Sequence, residues 1–201
     1  MTPQISSYLD NAARFSAVVD GAANWSSASP CDGWTGADVL DHVVDTQRDF
    51  LAQRGCDLGP RPAGFPADIW QQHLEAVRRV VADDDLVLAE YDGYFGRTTL
   101  AATLADFYGF DLIAHRWDLG RATGQEVAFS DAEMDALETA IAGFGESLYM
   151  DGICDRPVAV PRRPPASSGS SPRSAASPDE GRPAPDPTAS AQTVDNANAR
   201  P

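Results

Sequence analysis

Three side chains in this sequence are of the types, and at the spacing, that hold a metal ion. Asp111 and His115 stand four residues apart in the stretch ADFYGFDLIAHRWDLGRATG, which begins at Ala105 and ends at Gly124. On a helix, residues at i and i+4 lie one turn above the other with side chains leaning the same way. A carboxylate oxygen and an imidazole nitrogen can therefore converge on one point. A second histidine, His42, lies in an earlier helical segment. A histidine from one helix facing an acid-plus-histidine pair on another makes a three-ligand site inside a bundle, and three protein ligands leave the open position that catalytic zinc sites keep.

A purely structural reading competes with this one. Asp111 could hydrogen-bond a buried His115, and His42 could be a boundary residue paired at the surface with Asp38 or Asp45, both within a turn of it. Asp118, three residues beyond His115, is a candidate acceptor for the second ring nitrogen or an alternative ligand. His73 lies in a polar run and reads as solvated, outside the ligand set. Cys31 reads as an inert packing residue. The run Asp83, Asp84 and Asp85 continues into no calcium-loop pattern and reads as carboxylates ending a helix in water. No Ser-His-Asp or Cys-His constellation is apparent, so no separate catalytic residue is assigned.

The elements that must position these groups are helical. Ile5, Leu9, Ala12, Phe15, Val18 and Val19 recur at helical spacing over about residues 2–20, with Gly21 as a stop. Thr35 with Asp38 resembles a capping box opening a second helix, roughly Gly36 to Gln53. Between these helices, Trp25 and Trp34 read as anchors of an ordered loop. Pro66 suits the first turn of a third helix reaching about Val81. Leu86 to Tyr91 then reads as a short extended connection, with turn glycines at Gly93 and Gly96. The helix carrying Asp111 and His115 starts near Leu100, with Leu104, Phe107, Tyr108 and Leu112 as its buried stripe, and Gly120 and Gly124 bring it to its end. A last helix, from about Ser130 to Met150, offers Met134, Leu137, Ile141, Phe144 and Leu148 to complete the bundle. From about Pro161 the chain is rich in Pro, Ser and Ala, with Val194 its one large aliphatic residue. Such a segment cannot bury enough apolar surface to offset its ordering entropy. The expected organisation is an all-α domain over residues 1–160 and a disordered tail over 161–201.

Composition narrows the function classes. The 201 residues carry a formal net charge of −15, and every basic side chain is arginine. A protein this acidic repels phosphate backbones and anionic lipid, so neither a nucleic acid nor a membrane surface is an expected partner. Three cysteines without C-x-x-C spacing point to reduced cytosolic thiols, and no long apolar run appears. The expectation is a cytoplasmic protein, monomer or homodimer.

The segments PCDGWTGADVLDHVV, YFGRTTL and FDLIAHRWDLGRATGQ together resemble the DinB-like superfamily, and within it the mycothiol-dependent maleylpyruvate isomerase metal-binding domain family. The resemblance runs from about Tyr8 to Val160. It implies a four-helix bundle, here with an additional C-terminal helix, holding a divalent metal, usually zinc, on a histidine of the second helix and an acid-plus-histidine pair of a later one. Those positions are His42, Asp111 and His115. Some relatives carry Glu as the acidic ligand, whereas Asp111 is one methylene shorter. The activity implied is transfer or isomerisation that uses mycothiol or a similar low-molecular-weight thiol, activated by the metal, against an electrophilic substrate. Metal-assisted hydrolysis and a non-catalytic metal-binding stress-response role are the alternatives on the same fold.

Overall fold

Helix starts in this chain are written by capping side chains. In a computed structural model, which describes residues 1–94, 96–149 and 156, the Thr2 side chain accepts from the Ile5 amide to open α1 (Pro3–Asp20). A full Thr35–Asp38 capping box opens α2 (Gly36–Gln53). Pro66 stands at the first position of α3 (Pro66–Val81), whose last turn carries Arg78 and Arg79 against the negative end of the helix dipole. These starts and ends agree with the sequence reading of all three helices.

The acidic run departs from that reading. Asp83 accepts hydrogen bonds from the amides of Asp85 and Leu86 and so caps a short helix, α4 (Asp84–Leu88). The expected extended connection from Leu86 is therefore helical at first. A hairpin comes next, β1 (Glu90–Gly93) against β2 (Gly96–Thr99), antiparallel with Glu90 opposite Thr99 and Gly93 opposite Gly96.

Thr99 then caps a helix that runs through three geometries: α5 (Leu100–Thr103), a π-helical turn over Leu104–Tyr108, and α6 (Gly109–Thr123). The Gly109 amide bonds to the Leu104 carbonyl, five residues back. A π turn holds one residue more than an α turn and so rotates the rest of the helix about its axis, and such turns are frequent at functional sites. Leu104, Tyr108 and Leu112 are buried as expected, but Phe107 is 44% exposed, because the extra residue carries it off the stripe. Gly124, at φ 76°, ends α6 in the left-handed conformation. Gly120 remains helical, contrary to expectation. A Cβ there would meet the Val127 side chain at 2.4 Å, so its bare backbone is what lets the next loop fold against the helix.

The core lies where α1, α2, α3 and α6 meet. α6 packs on both α1 and α2, and α3 closes on α1 and α2. Ile5, Phe15, Leu40, Leu51, Trp70, Leu104, Leu112 and Leu119 are fully buried there. The architecture is all-α and DinB-like, with the small hairpin as its β-structure among the described residues. The additional helix, α7 (Asp131–Phe144), opens on a Ser130–Glu133 capping box and leans on α6, and a 3-10 turn over Gly145–Tyr149 succeeds it. It contributes less to the core than its apolar residues suggest: Met134 and Ile141 are exposed, whereas Glu133 and Leu148 are buried. Glu133 is buried because it takes the Arg116 guanidinium, with Arg116 Nη1 2.7 Å from its Oε1. Met150 and the expected tail, residues 161–201, lie outside the described residues, as does the junction at residue 160.

His73 corrects the sequence reading outright. Its ring is fully buried, with Nε2 3.0 Å from Gln47 Oε1, which also accepts from the Tyr8 hydroxyl at 2.7 Å. The polar residues beside it in sequence mislead. At helical period it falls in line with Ile69 and Val77, on the apolar face of α3.

Candidate metal centre

α2 and α6 pack side by side, and the contact brings His42 opposite Asp111 and His115. The surface partners open to His42 in the sequence are engaged elsewhere. Asp38 accepts from the amide and hydroxyl of Thr35, and Asp45 accepts from Arg61, which also reaches Asp41. His42 instead turns Nε2 toward Asp111 Oδ1, 3.7 Å away, and His115 turns its own Nε2 toward the same oxygen at 3.4 Å. These separations exceed a normal N–H···O hydrogen bond. A tetrahedron of N and O donors about a cation at zinc-type bond lengths has edges of roughly 3.3–3.6 Å; the His115 separation lies within that range and the His42 separation just above it. The other carboxylate oxygen, Asp111 Oδ2, is buried with no hydrogen-bond partner. Two imidazoles and a carboxylate with an unused oxygen therefore fit a borderline divalent cation such as zinc.

The surroundings orient these donors. His115 Nδ1 lies 2.9 Å from Asp118 Oδ2, so the carboxylate accepts from Nδ1 and leaves Nε2 directed at Asp111 and His42. The sequence spacing marks Asp118 for that role. The Trp34 ring stacks on His115, centroids 6.2 Å apart, and lies 4.9 Å from the His42 ring. It thus roofs both imidazoles at once. Burial, the largest influence on both members of the Asp111–His115 pair, works against their charged forms. Polar contact with the two imidazoles, long as it is, and attraction to them outweigh it for Asp111, holding its carboxyl down at about 2, while contact with Asp111 and the hydrogen bond to Asp118 hold the His115 ring well above the usual histidine range. Burial pushes the Tyr8 and Tyr108 hydroxyls up beyond the ordinary tyrosine range, followed by the neighbouring Tyr108 and then Asp111 for Tyr8, and by the charge of Asp111 for Tyr108. Both stay neutral and donate, Tyr8 to Gln47 and Tyr108 to the Thr46 carbonyl at 3.1 Å.

Two neighbours of this centre are not legible as such. Trp34 reads from sequence as a loop anchor, and Cys31 as packing. The structure places Cys31 Sγ 3.5 Å from Asp118 Oδ2, in the wall of the site. Both come from the loop between α1 and α2, whose path is set by hydrogen bonds from Ser29 N to Trp34 O and from Trp34 N to Cys31 O. No spacing rule connects such a loop to α6. Two signals are available: the loop ends on Thr35, the cap of the helix that carries His42, and Cys31 and Trp34 lie in PCDGWTGADVLDHVV, one of the segments that carry the family resemblance.

A family model described as the mycothiol maleylpyruvate isomerase N-terminal domain matches residues 7–141, a span that contains His42, Asp111 and His115. No curated protein and no solved structure matches the chain. The family match covers more than half of the chain, from the start of α1 into α7, and coincides with the helical bundle that builds the site. The chain belongs to the mycothiol maleylpyruvate isomerase N-terminal domain family, a family of DinB-like domains.

Proposed function

We propose that this domain binds a divalent cation, zinc by preference, on His42, Asp111 and His115, and works as a thiol-dependent transferase or isomerase with mycothiol or a similar low-molecular-weight thiol. The observation that carries the reading is the convergence of two Nε2 atoms on one Asp111 oxygen, at 3.7 and 3.4 Å, beside an unpartnered buried oxygen of the same carboxylate. When bound, the cation supplies the positive charge that keeps a thiol in its thiolate form at neutral pH.

The chain's own residues do the rest. Asp118 holds the His115 proton at Nδ1 and so fixes the tautomer and the tilt of the ring. Trp34 covers one side of both imidazoles and excludes water from it. His42 is a third exposed, against 15% for Asp111 and for His115, so the approach from solvent lies on the α2 side. The electrophilic substrate enters there. A thiol-using role suits a cytoplasmic protein, and Cys31 and Cys56 are both unbridged. No helix among the described residues is long and apolar enough to cross a membrane.

Turnover of a panel of electrophiles by the metal-loaded protein, with and without mycothiol, tests the reading. Product formed only when the thiol is present supports it. Turnover independent of thiol assigns the site to metal-assisted hydrolysis instead. Metal bound without any thiol consumption assigns the chain a binding role.

A further inference from the structure

His115 faces two clusters, one through each ring nitrogen. Nε2 points at Asp111 and His42, and Nδ1 at Asp118, whose Oδ2 also lies 3.5 Å from Cys31 Sγ. Cys31, His115 and Asp118 thus bring a sulfur, a nitrogen and an oxygen within 4.8 Å of one another, as the donors of the His42 triad also are. The thiol is held in place by its own backbone. The Cys31 amide donates to Ser29 Oγ at 3.2 Å, and the Cys31 carbonyl accepts from Trp34 N at 3.0 Å. Cys31 is half-buried, and the Asp118 and His115 side chains are 13% and 15% exposed, so the cluster is shielded without being sealed.

We propose that Cys31, His115 and Asp118 form a second, alternative seat for a cation, selective for soft thiophilic ions such as cadmium. Donor chemistry separates the two seats. The triad offers two imidazoles and a carboxylate, which suit borderline and harder ions, whereas a thiolate raises affinity for soft ones. The seats alternate because they share one imidazole. An ion on Nδ1 displaces the proton that Asp118 otherwise holds there, and the ring then carries its one remaining proton on Nε2, which faces Asp111 Oδ1 3.4 Å away. The Cys31 thiol proton leaves to solvent as the sulfur becomes a ligand. A soft ion then occupies the Cys31 seat in preference to the triad.

The test is a titration of the full chain with cadmium chloride under a non-thiol reductant, read by the ultraviolet charge-transfer absorption of a cadmium–thiolate bond. Wild-type protein and the His42→Ala variant should both develop the band, whereas Cys31→Ser should lose it while still binding cadmium at the triad. Asp118→Asn keeps the thiol and should shift the band to higher cadmium concentrations, which guards against a folding defect peculiar to the cysteine variant. A band that persists in Cys31→Ser, one that is absent from wild type, or one that vanishes in His42→Ala overturns the proposal. The triad reading is scored separately, by retention of a harder ion such as manganese in Cys31→Ser and its loss in His42→Ala.

Discussion

His115 Nδ1 and Asp118 Oδ2 lie 2.9 Å apart across less than one turn of α6, and that contact fixes which nitrogen of His115 faces the α2 side. Outer hydrogen bonds of this kind typically sustain metal affinity by about 10–100-fold. Asp118→Asn should therefore weaken zinc binding by about one to two orders of magnitude while leaving helical content unchanged. Competition against a chromophoric chelator measures the affinity. Unaltered affinity would remove Asp118 from the account.

His73 makes stability depend on pH. Burial first, and then the positive charge of Arg48, lower its pKa to about 3 from the ordinary 6.5. A histidine whose folded pKa is depressed contributes no penalty above about pH 6.5, where it is neutral in both states. As pH falls below 6.5 the unfolded chain takes up the proton and the folded chain does not, so stability declines until about pH 3, by up to roughly 5 kcal/mol. Urea unfolding midpoints should fall steadily over that window in wild type and less steeply in His73→Gln, which keeps a donor for Gln47 without a ring to protonate.

Arg116 is the anchor of α7. Its guanidinium meets Glu133 at 2.7 Å and the Ala128 carbonyl at 3.1 Å, and both side chains of the pair are only 8% exposed. Removing one member of a buried pair strands the other's charge, at a typical cost of about 3–5 kcal/mol. Arg14 lies 3.3 Å from the same carboxylate and is half exposed, so it compensates in part. Arg116→Ala should cost about 3 kcal/mol in urea unfolding, and adding Glu133→Gln should recover part of that loss.

Most of the fold is legible in the sequence because its boundaries are chemical. Thr35 with Asp38 and Pro66 announce helix starts by satisfying or sparing free amides, and the structure uses both. Features that depend on rotation about a helix axis escape such a reading. The π turn over Leu104–Tyr108 leaves no mark in composition, so Phe107 reads as buried when it is exposed. His73 reads as solvated from its neighbours in sequence, whereas its neighbours at i±4 decide its face. The convergence of Asp111 with His115 is legible as a helical interval, and His42 only as a residue of fitting type on another helix. Trp34 and Cys31 reach the site through a loop whose course depends on its own hydrogen bonds, which no periodicity encodes.

Metal content of purified wild type and His115→Ala, by elemental analysis after gel filtration, bears most directly on the central claim. His115 offers a nitrogen to Asp111 and His42 across a gap of cation size, and no other side chain among the described residues stands in both candidate ligand groups. One tightly held equivalent of divalent metal in wild type and none in His115→Ala is the predicted result. A full equivalent retained by a folded His115→Ala would contradict it.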